Sequence, residues 1–181
     1  METIVLGGGC FWCTEAIFQR LKGVESVIPG YANSRIENPS YEDVYMGKAK
    51  AVESIQITFD SQIIPLQRLL DIFWHTHNPT TKNQQGYDKG EEYRSVIFYR
   101  DESQKGVAEK SKRIVEKEKA YKDPIVTSIE PFQNFFPAED YHRDFYNKSR
   151  SSPYCTFIID PKIANLLKEF SKDVKEEYKE S

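Results

Sequence analysis

Cysteine is scarce: Cys10, Cys13 and Cys155 are the three in 181 residues. So sparse and odd a set excludes a structural disulfide framework, and in a reducing compartment such thiols serve catalysis or metal binding more often than cross-linking. Long apolar runs are missing. Met1 leads directly into Ile4-Val5-Leu6 with no charged leader region, so the chain reads as cytoplasmic, without a membrane segment. A basic excess is missing too. With 25 Lys and Arg against 28 Asp and Glu, the signs interspersed, nothing offers a nucleic-acid backbone a basic stripe. Hydrophobic residues, at 39%, are fewer than usual, but 13% aromatics restore core volume and exclude a disordered chain. No Gly/Ser linker or internal repeat interrupts residues 1–181. A single catalytic domain is expected, a monomer, burying roughly two thirds of its unfolded surface.

The pattern of what is present sets an order of elements. Thr3 to Leu6 is an apolar run that ends in Gly7-Gly8-Gly9; Ile17, Phe18 and Leu21 then repeat at helical spacing until Gly23. Cys10 therefore falls between a strand and a helix N-terminus. Val24 to Tyr31 resumes an extended pattern, a polar loop covers Ala32 to Lys50, and Glu53 to Phe59 alternates as a half-buried strand should. Pro65 opens a helix carrying Leu66, Leu69, Leu70 and Phe73 on one face, which ends before Asn78-Pro79. Val96 to Tyr99 reads as a strand, Glu102 to Lys119 as a charged amphipathic helix and Ile125 to Ile129 as a weaker strand. The order β-α-β-β-α-β predicts an α+β two-layer sandwich with a ferredoxin-like core. Residues 156–181, with the charged stretch Lys168 to Lys179, are expected to form a helical tail.

Three glycines before Cys10 let the backbone turn sharply, and the N–H groups and dipole of the following helix favour a thiolate there. Such a sulfur should be nucleophilic. Cys10-Phe11-Trp12-Cys13 is also a CxxC, whose spacing suits a redox disulfide or half of a zinc site. Zinc would need two further ligands from Cys155, His75, His77 and His142, and these form no second tight pair. Phe11 and Trp12 are either core or the walls of an apolar pocket beside the thiol. Glu53 shares strand parity with Ile55, Ile57 and Phe59, so its carboxyl should point to the apolar side of the sheet. Desolvation would keep it protonated and fit it to act as a general acid, unless it is solvated or paired with Lys50. Glu139-Asp140-Tyr141-His142 could supply a base to a cysteine or form a structural cluster. Tyr41, Asp88 and Tyr93 lie in polar loops, where local pattern alone does not single them out.

Taken together these segments resemble the peptide methionine sulfoxide reductase A family. Gly9-Cys10-Phe11-Trp12 with Glu15 is similar to its signature. Asn38-Pro39-Ser40-Tyr41 and Gln85-Gly86-Tyr87-Asp88, continuing to Tyr93-Arg94-Ser95, resemble two further segments, and Pro137 to His142 closes the match. The resemblance covers residues 4–155. It implies that Cys10 is the nucleophile, that Phe11 and Trp12 wall in the sulfoxide's methyl group, and that Glu53 is the acid near its oxygen. It also brings Tyr41, Asp88 and Tyr93 to that oxygen as donors or water-positioning groups.

The activity implied is reduction of the S epimer of methionine sulfoxide, free or in oxidised proteins, through a sulfenic acid and an intramolecular disulfide. Cys13 or Cys155 would resolve the sulfenic acid. No bound cofactor or metal is implied; thioredoxin, or dithiothreitol in vitro, would be the external reductant. If Cys155 takes part, its segment should be a mobile loop. The sequence departs from the family at Lys50-Ala51-Val52, where Gly-His-Ala is common before the acid, at Ala32-Asn33, and at Cys13, where Gly is common. Two other readings stay open: a zinc-binding or redox-sensing CxxC module, and a general disulfide oxidoreductase.

Overall fold

The computed structural model describes residues 1–179; Glu180 and Ser181, the end of the expected tail, lie outside the described residues. Its elements are β1 (Glu2–Gly7), α1 (Phe11–Phe18), β2 (Val24–Ala32), α2 (Tyr41–Tyr45), β3 (Val52–Phe59), α3 (Leu66–Thr76), β4 (Gln84–Gln85), β5 (Asp88–Lys89) and β6 (Val96–Tyr99). There follow α4 (Glu102–Lys117), β7 (Ser128–Pro131), β8 (Phe135–Pro137), α5 (Phe145–Lys148) and α6 (Asp160–Glu169). Six strands form one mixed sheet in the order β7-β6-β1-β3-β2-β8, antiparallel except where β6 meets β7. The short pair β4-β5 stands apart. The fold is α+β.

The central strand β1 reads as an unbroken apolar run because both of its faces are covered. Ile4 and Leu6 join Ile55, Ile57 and Phe59 in the main core beneath the helices, while Val5 packs with Val52, Val96 and Phe98 on the opposite face. α3 buries Leu66, Leu69, Leu70 and Phe73 on the face its periodicity foretells. From α3, Trp74 donates its indole N–H to Ser111 Oγ of α4 at 2.7 Å. Among the described residues no helix is long and apolar enough to cross a membrane.

Three regions differ from the sequence reading. Within the expected polar loop, Tyr41–Tyr45 forms a turn of helix because Ser40 and Asp43 make a reciprocal capping box. The last strand lies at Ser128–Pro131, displaced along the chain, where it pairs in parallel with β6. The tail is not one helix. α6 ends at Glu169, and the chain then runs back over the C-terminal end of α1 as a strap. Val174, fully buried, bridges Leu21, and the Lys22 N–H donates to the Asp173 carbonyl at 2.8 Å. Lys175 donates its backbone N–H to the Arg20 carbonyl at 2.8 Å and its ammonium to the Gln19 carbonyl at 3.0 Å, supplying donors and a cation where a helix end needs them. Arg68 grips the Asp173 carboxylate with two nitrogens, at 3.2 and 2.6 Å. One buried apolar residue and these polar grips outweigh the helical spacing of the surrounding charges.

Candidate active site

The site lies where β1 ends and β3 begins. The antiparallel register sets Leu6 opposite Ile55, so the chain leaving β1 arrives beside the first residues of β3. Gly9 takes φ +91°, and a Cβ on it would sit 2.6 Å from Cβ of Gln85, so this turn admits only glycine. Gln85 is itself pinned, accepting from the Asn78 N–H and donating to the Asn78 carbonyl, both at 2.8 Å. Cys10 follows as the N-cap of α1, half-buried.

Glu53 points to the core face, 3% exposed. Its Oε1 accepts the Phe11 N–H at 3.4 Å, and the Tyr93 hydroxyl also hydrogen-bonds the carboxyl. Burial dominates and the Asp88 charge adds to it, so the carboxyl's pKa is pushed up to about 8 although both hydrogen bonds pull the other way. At neutral pH Glu53 therefore carries a proton. Lys50, its alternative partner in the sequence reading, instead pairs with Glu91 at 3.7 Å.

Tyr41 opens α2 and is held by its own N–H, which donates to Glu139 Oε2 at 3.0 Å. The other oxygen of Glu139 accepts from the Tyr31 hydroxyl at 2.9 Å, so this carboxylate ties α2 to β2. Tyr41 and Tyr93 hydrogen-bond each other, and the charges of Glu53 and Cys10 both bear on each of them. Asp88 stands on β5, just after the turn at Gly86. Cys10, Glu53, Tyr41, Tyr93 and Asp88 thus face one another from four separate stretches of chain.

The aromatic wall is on α1. Trp12 stacks on Phe145, with centroids 3.7 Å apart and rings 10° from parallel, and meets Tyr154 edge-on at 5.5 Å. Its indole N–H donates to His142 Nδ1 at 3.0 Å, and the His142 ring packs against Phe11 at 5.0 Å and Tyr41 at 5.3 Å. His142 is buried and its ring is held neutral by burial. It orients the wall through Nδ1. Glu15 accepts the Asp144 N–H through both oxygens at 3.0 Å, fastening α1 to the segment that carries Phe145.

The sulfurs are arranged unequally. Cys13, one turn along α1, hydrogen-bonds Cys10, and its sulfur lies 3.6 Å from the Tyr154 hydroxyl. Burial pushes the Cys10 thiol up, reinforced by the Cys13 contact and the Glu53 charge, whereas the hydrogen bond from Cys10 draws Cys13 down. Once the pair loses a proton, the two sulfurs share the one that remains. Burial outweighs the pull of the helix terminus expected to favour a thiolate at Cys10, and the first free N–H of α1 donates to Glu53. All three cysteines are free thiols. A cavity of about 190 Å³ opens beside the pair, lined by Cys10, Cys13, Asp88, Tyr154 and Phe157 among others. Cys155 is fully buried in a π-turn, Cys155–Ile159, that runs directly into α6. The expected mobile loop is absent there because Cys155 and Ile159 are both built into the core. Among the described residues no three His, Cys, Asp or Glu side chains come together as metal ligands.

Tyr154 is the residue at this site that the sequence reading passed over. Its hydroxyl donates to Asp88 Oδ2 at 2.9 Å, a partner 66 positions away, and no local pattern marks it.

Comparison with known proteins agrees with this arrangement. The family model for peptide methionine sulfoxide reductase matches residues 2–175. The chain is 50% identical over 175 residues to the peptide methionine sulfoxide reductase MsrA of Saccharolobus solfataricus, covering 97% of this chain and 98% of that one. It is 49% identical over 170 residues to the MsrA of Sulfolobus acidocaldarius, covering 94% and 96%. Among solved structures, Mxr1 from Saccharomyces cerevisiae in reduced form superposes with TM-score 0.77 at 32% identity, over 85% of this chain and 88% of that one. Mxr1 in complex with Trx2 is similar at TM-score 0.55 and 25% identity, over 80% and 84%. The chain belongs to the peptide methionine sulfoxide reductase family.

Proposed function

We propose that this chain reduces the S epimer of methionine sulfoxide, free or in oxidised proteins, with Cys10 as nucleophile and Glu53 as acid. The observation that carries the reading is a protonated, buried carboxyl and a cysteine brought together at the start of α1, the Phe11 N–H between them. The Cys10 sulfur attacks the sulfoxide sulfur while Glu53 protonates its oxygen, with Tyr41 and Tyr93 as further donors around the same atom. Phe11 and Trp12 hold the methyl group. Methionine leaves, and the oxygen remains on Cys10 as a sulfenic acid, its sulfur oxidised by the two electrons the substrate gained.

Cys13 is the first resolving cysteine, because it already contacts Cys10 whereas Cys155 is packed in the core. Its thiol condenses with the sulfenic acid, releasing water and forming a disulfide. Cys155 takes over that disulfide only if the π-turn opens. Thioredoxin reopens it by exchange, supported by the yeast relative solved with Trx2. No bound cofactor is assigned to the site.

The same reading takes β1, α1, β2, β3, α3 and β6 as a ferredoxin-like core, supported by the order β6-β1-β3-β2 with every pair antiparallel. Residues 1–181 act as one catalytic domain, supported by the strap from the C-terminal end packing on α1. On this reading the chain acts as a cytoplasmic monomer.

Incubation of the separated sulfoxide epimers with enzyme and dithiothreitol tests the function. Wild type should yield methionine from the S epimer alone, and Cys10→Ser should yield none. Product from the R epimer, or from Cys10→Ser, would overturn the assignment. Insulin disulfides should stay intact; their rapid reduction would point to a general disulfide oxidoreductase.

A further inference from the structure

Resolution by Cys13 poses a chemical problem that attack by Cys10 does not. During the first step the pair can share its proton, but afterwards Cys10 is a sulfenic acid and can no longer hold the proton of Cys13. A buried thiol must then give that proton to something else before its sulfur becomes a nucleophile. Cys13 is 5% exposed, and the polar side chain beside its sulfur, apart from Cys10, is Tyr154.

We infer that Tyr154 and Asp88 form a proton relay for the resolving thiol, in which the Tyr154 hydroxyl takes the proton of Cys13 and passes its own to the Asp88 carboxylate. The inference rests on the reductase reading and deepens it. With its hydrogen given to Asp88 Oδ2 at 2.9 Å, the Tyr154 oxygen has a lone pair free to accept from the Cys13 thiol 3.6 Å away. Three groups from three separate elements are therefore threaded in one direction, sulfur to phenol to carboxylate. Tyr154 is fixed for this by its edge-on contact with Trp12 and by the π-turn that follows it. Burial holds the phenol's own pKa up, so it conducts a proton and does not rest as a phenolate.

The atoms balance. The Cys13 electron pair forms the sulfur–sulfur bond, and the S–O bond at Cys10 breaks. The departing hydroxyl leaves as water with a proton from reprotonated Glu53, and the proton from Cys13 ends on Asp88. Exchange with solvent through the adjoining cavity resets both carboxyls. Tyr154 touches a reacting sulfur and so counts as catalytic for the resolving step.

The test compares enzyme with intact Tyr154 and Tyr154→Phe, both on a Cys155→Ser background so that Cys10 and Cys13 are the remaining thiols. Methionine release and thiol loss are followed separately in a single turnover without reductant. Phe keeps the ring against Trp12 and removes only the hydroxyl. Disulfide formation should slow about 100-fold, the usual scale for losing one proton-transfer group, and about 10-fold more than methionine release, which also senses the hydroxyl through its contact with Cys10. A dimedone adduct should accumulate on Cys10 in Tyr154→Phe. Asp88→Asn keeps a hydrogen-bond acceptor but not a base, and should slow disulfide formation more than methionine release. Equal disulfide rates with and without the hydroxyl would overturn the relay, as would a parallel fall in both steps. If the intact-Tyr154 enzyme releases no methionine, the reductase reading fails first and the relay falls with it.

Discussion

Glu53 sits where a charge would be expensive, and the chain turns that expense into a proton ready to be given. Burial lifts the carboxyl to about 8, above neutral pH, so at pH 7 most molecules hold the acid form that protonation of a leaving oxygen requires. The sign follows directly: the acid form is present below pH 8 and is lost above it. Single-turnover methionine release should therefore fall as pH rises through about 8, and Glu53→Gln should lower it by about 100-fold and abolish that falling limb. A limb that persists in Glu53→Gln would assign it to another group. Glu53 and Cys10 were legible in the sequence because Glu53 lies within a regular strand, where parity fixes direction, and Cys10 follows one through a triple glycine. Tyr41, Asp88 and Tyr93 entered only by family resemblance, since turns carry no period from which a side chain's aim could be read. Tyr154 had no signal of either kind.

At the level of elements, two connections hold the site. The Gly9 turn delivers Cys10 to the start of α1, and its positive φ and the Gln85 side chain leave no space for a Cβ. Gly9→Ala should cut single-turnover activity by more than about 10-fold, since an ångström of misplacement at a reacting atom is enough for such a loss, with less effect on the thermal midpoint. The strap holds the other end of α1. Val174→Ala removes two buried carbons and should cost about 2 kcal/mol in urea unfolding; a cost near zero would mean the strap does not brace the helix. The strap escaped the sequence because Lys172, Lys175, Glu176 and Lys179 repeat like a solvated helix face. A lone buried valine between them does not announce that the chain has turned back. The short α2 was missed for a related reason: a five-residue helix is set by its cap at Ser40 and not by apolar periodicity.

Across the whole molecule, buried acids tie function to stability. Glu15, fastening α1 to Asp144, is lifted from 4.5 to about 7, mainly by burial. Its folded pKa lies above its unfolded one, so the folded state binds more protons between these values and stability must fall as pH rises through that window. The loss from Glu15 is on the order of 3 kcal/mol by pH 8. Glu53 acts in the same direction up to about pH 8. Urea midpoints should drop between pH 5 and 8, and Glu15→Gln should flatten that drop; a midpoint that rises with pH in both proteins would contradict the burial argument. The mixed sheet with helices over its main core followed from strand parity and helix period. The outer strand β8 and the course of the tail did not, because long-range pairing decides them. The central claim, that one sulfur at the head of α1 takes the oxygen, is tested most directly with a Cys13→Ser, Cys155→Ser double variant and excess sulfoxide in the absence of reductant. One equivalent of methionine per enzyme, with a single dimedone adduct on the sulfur of the Cys10 peptide, is the predicted result. No methionine, or oxygen found elsewhere, would contradict the account.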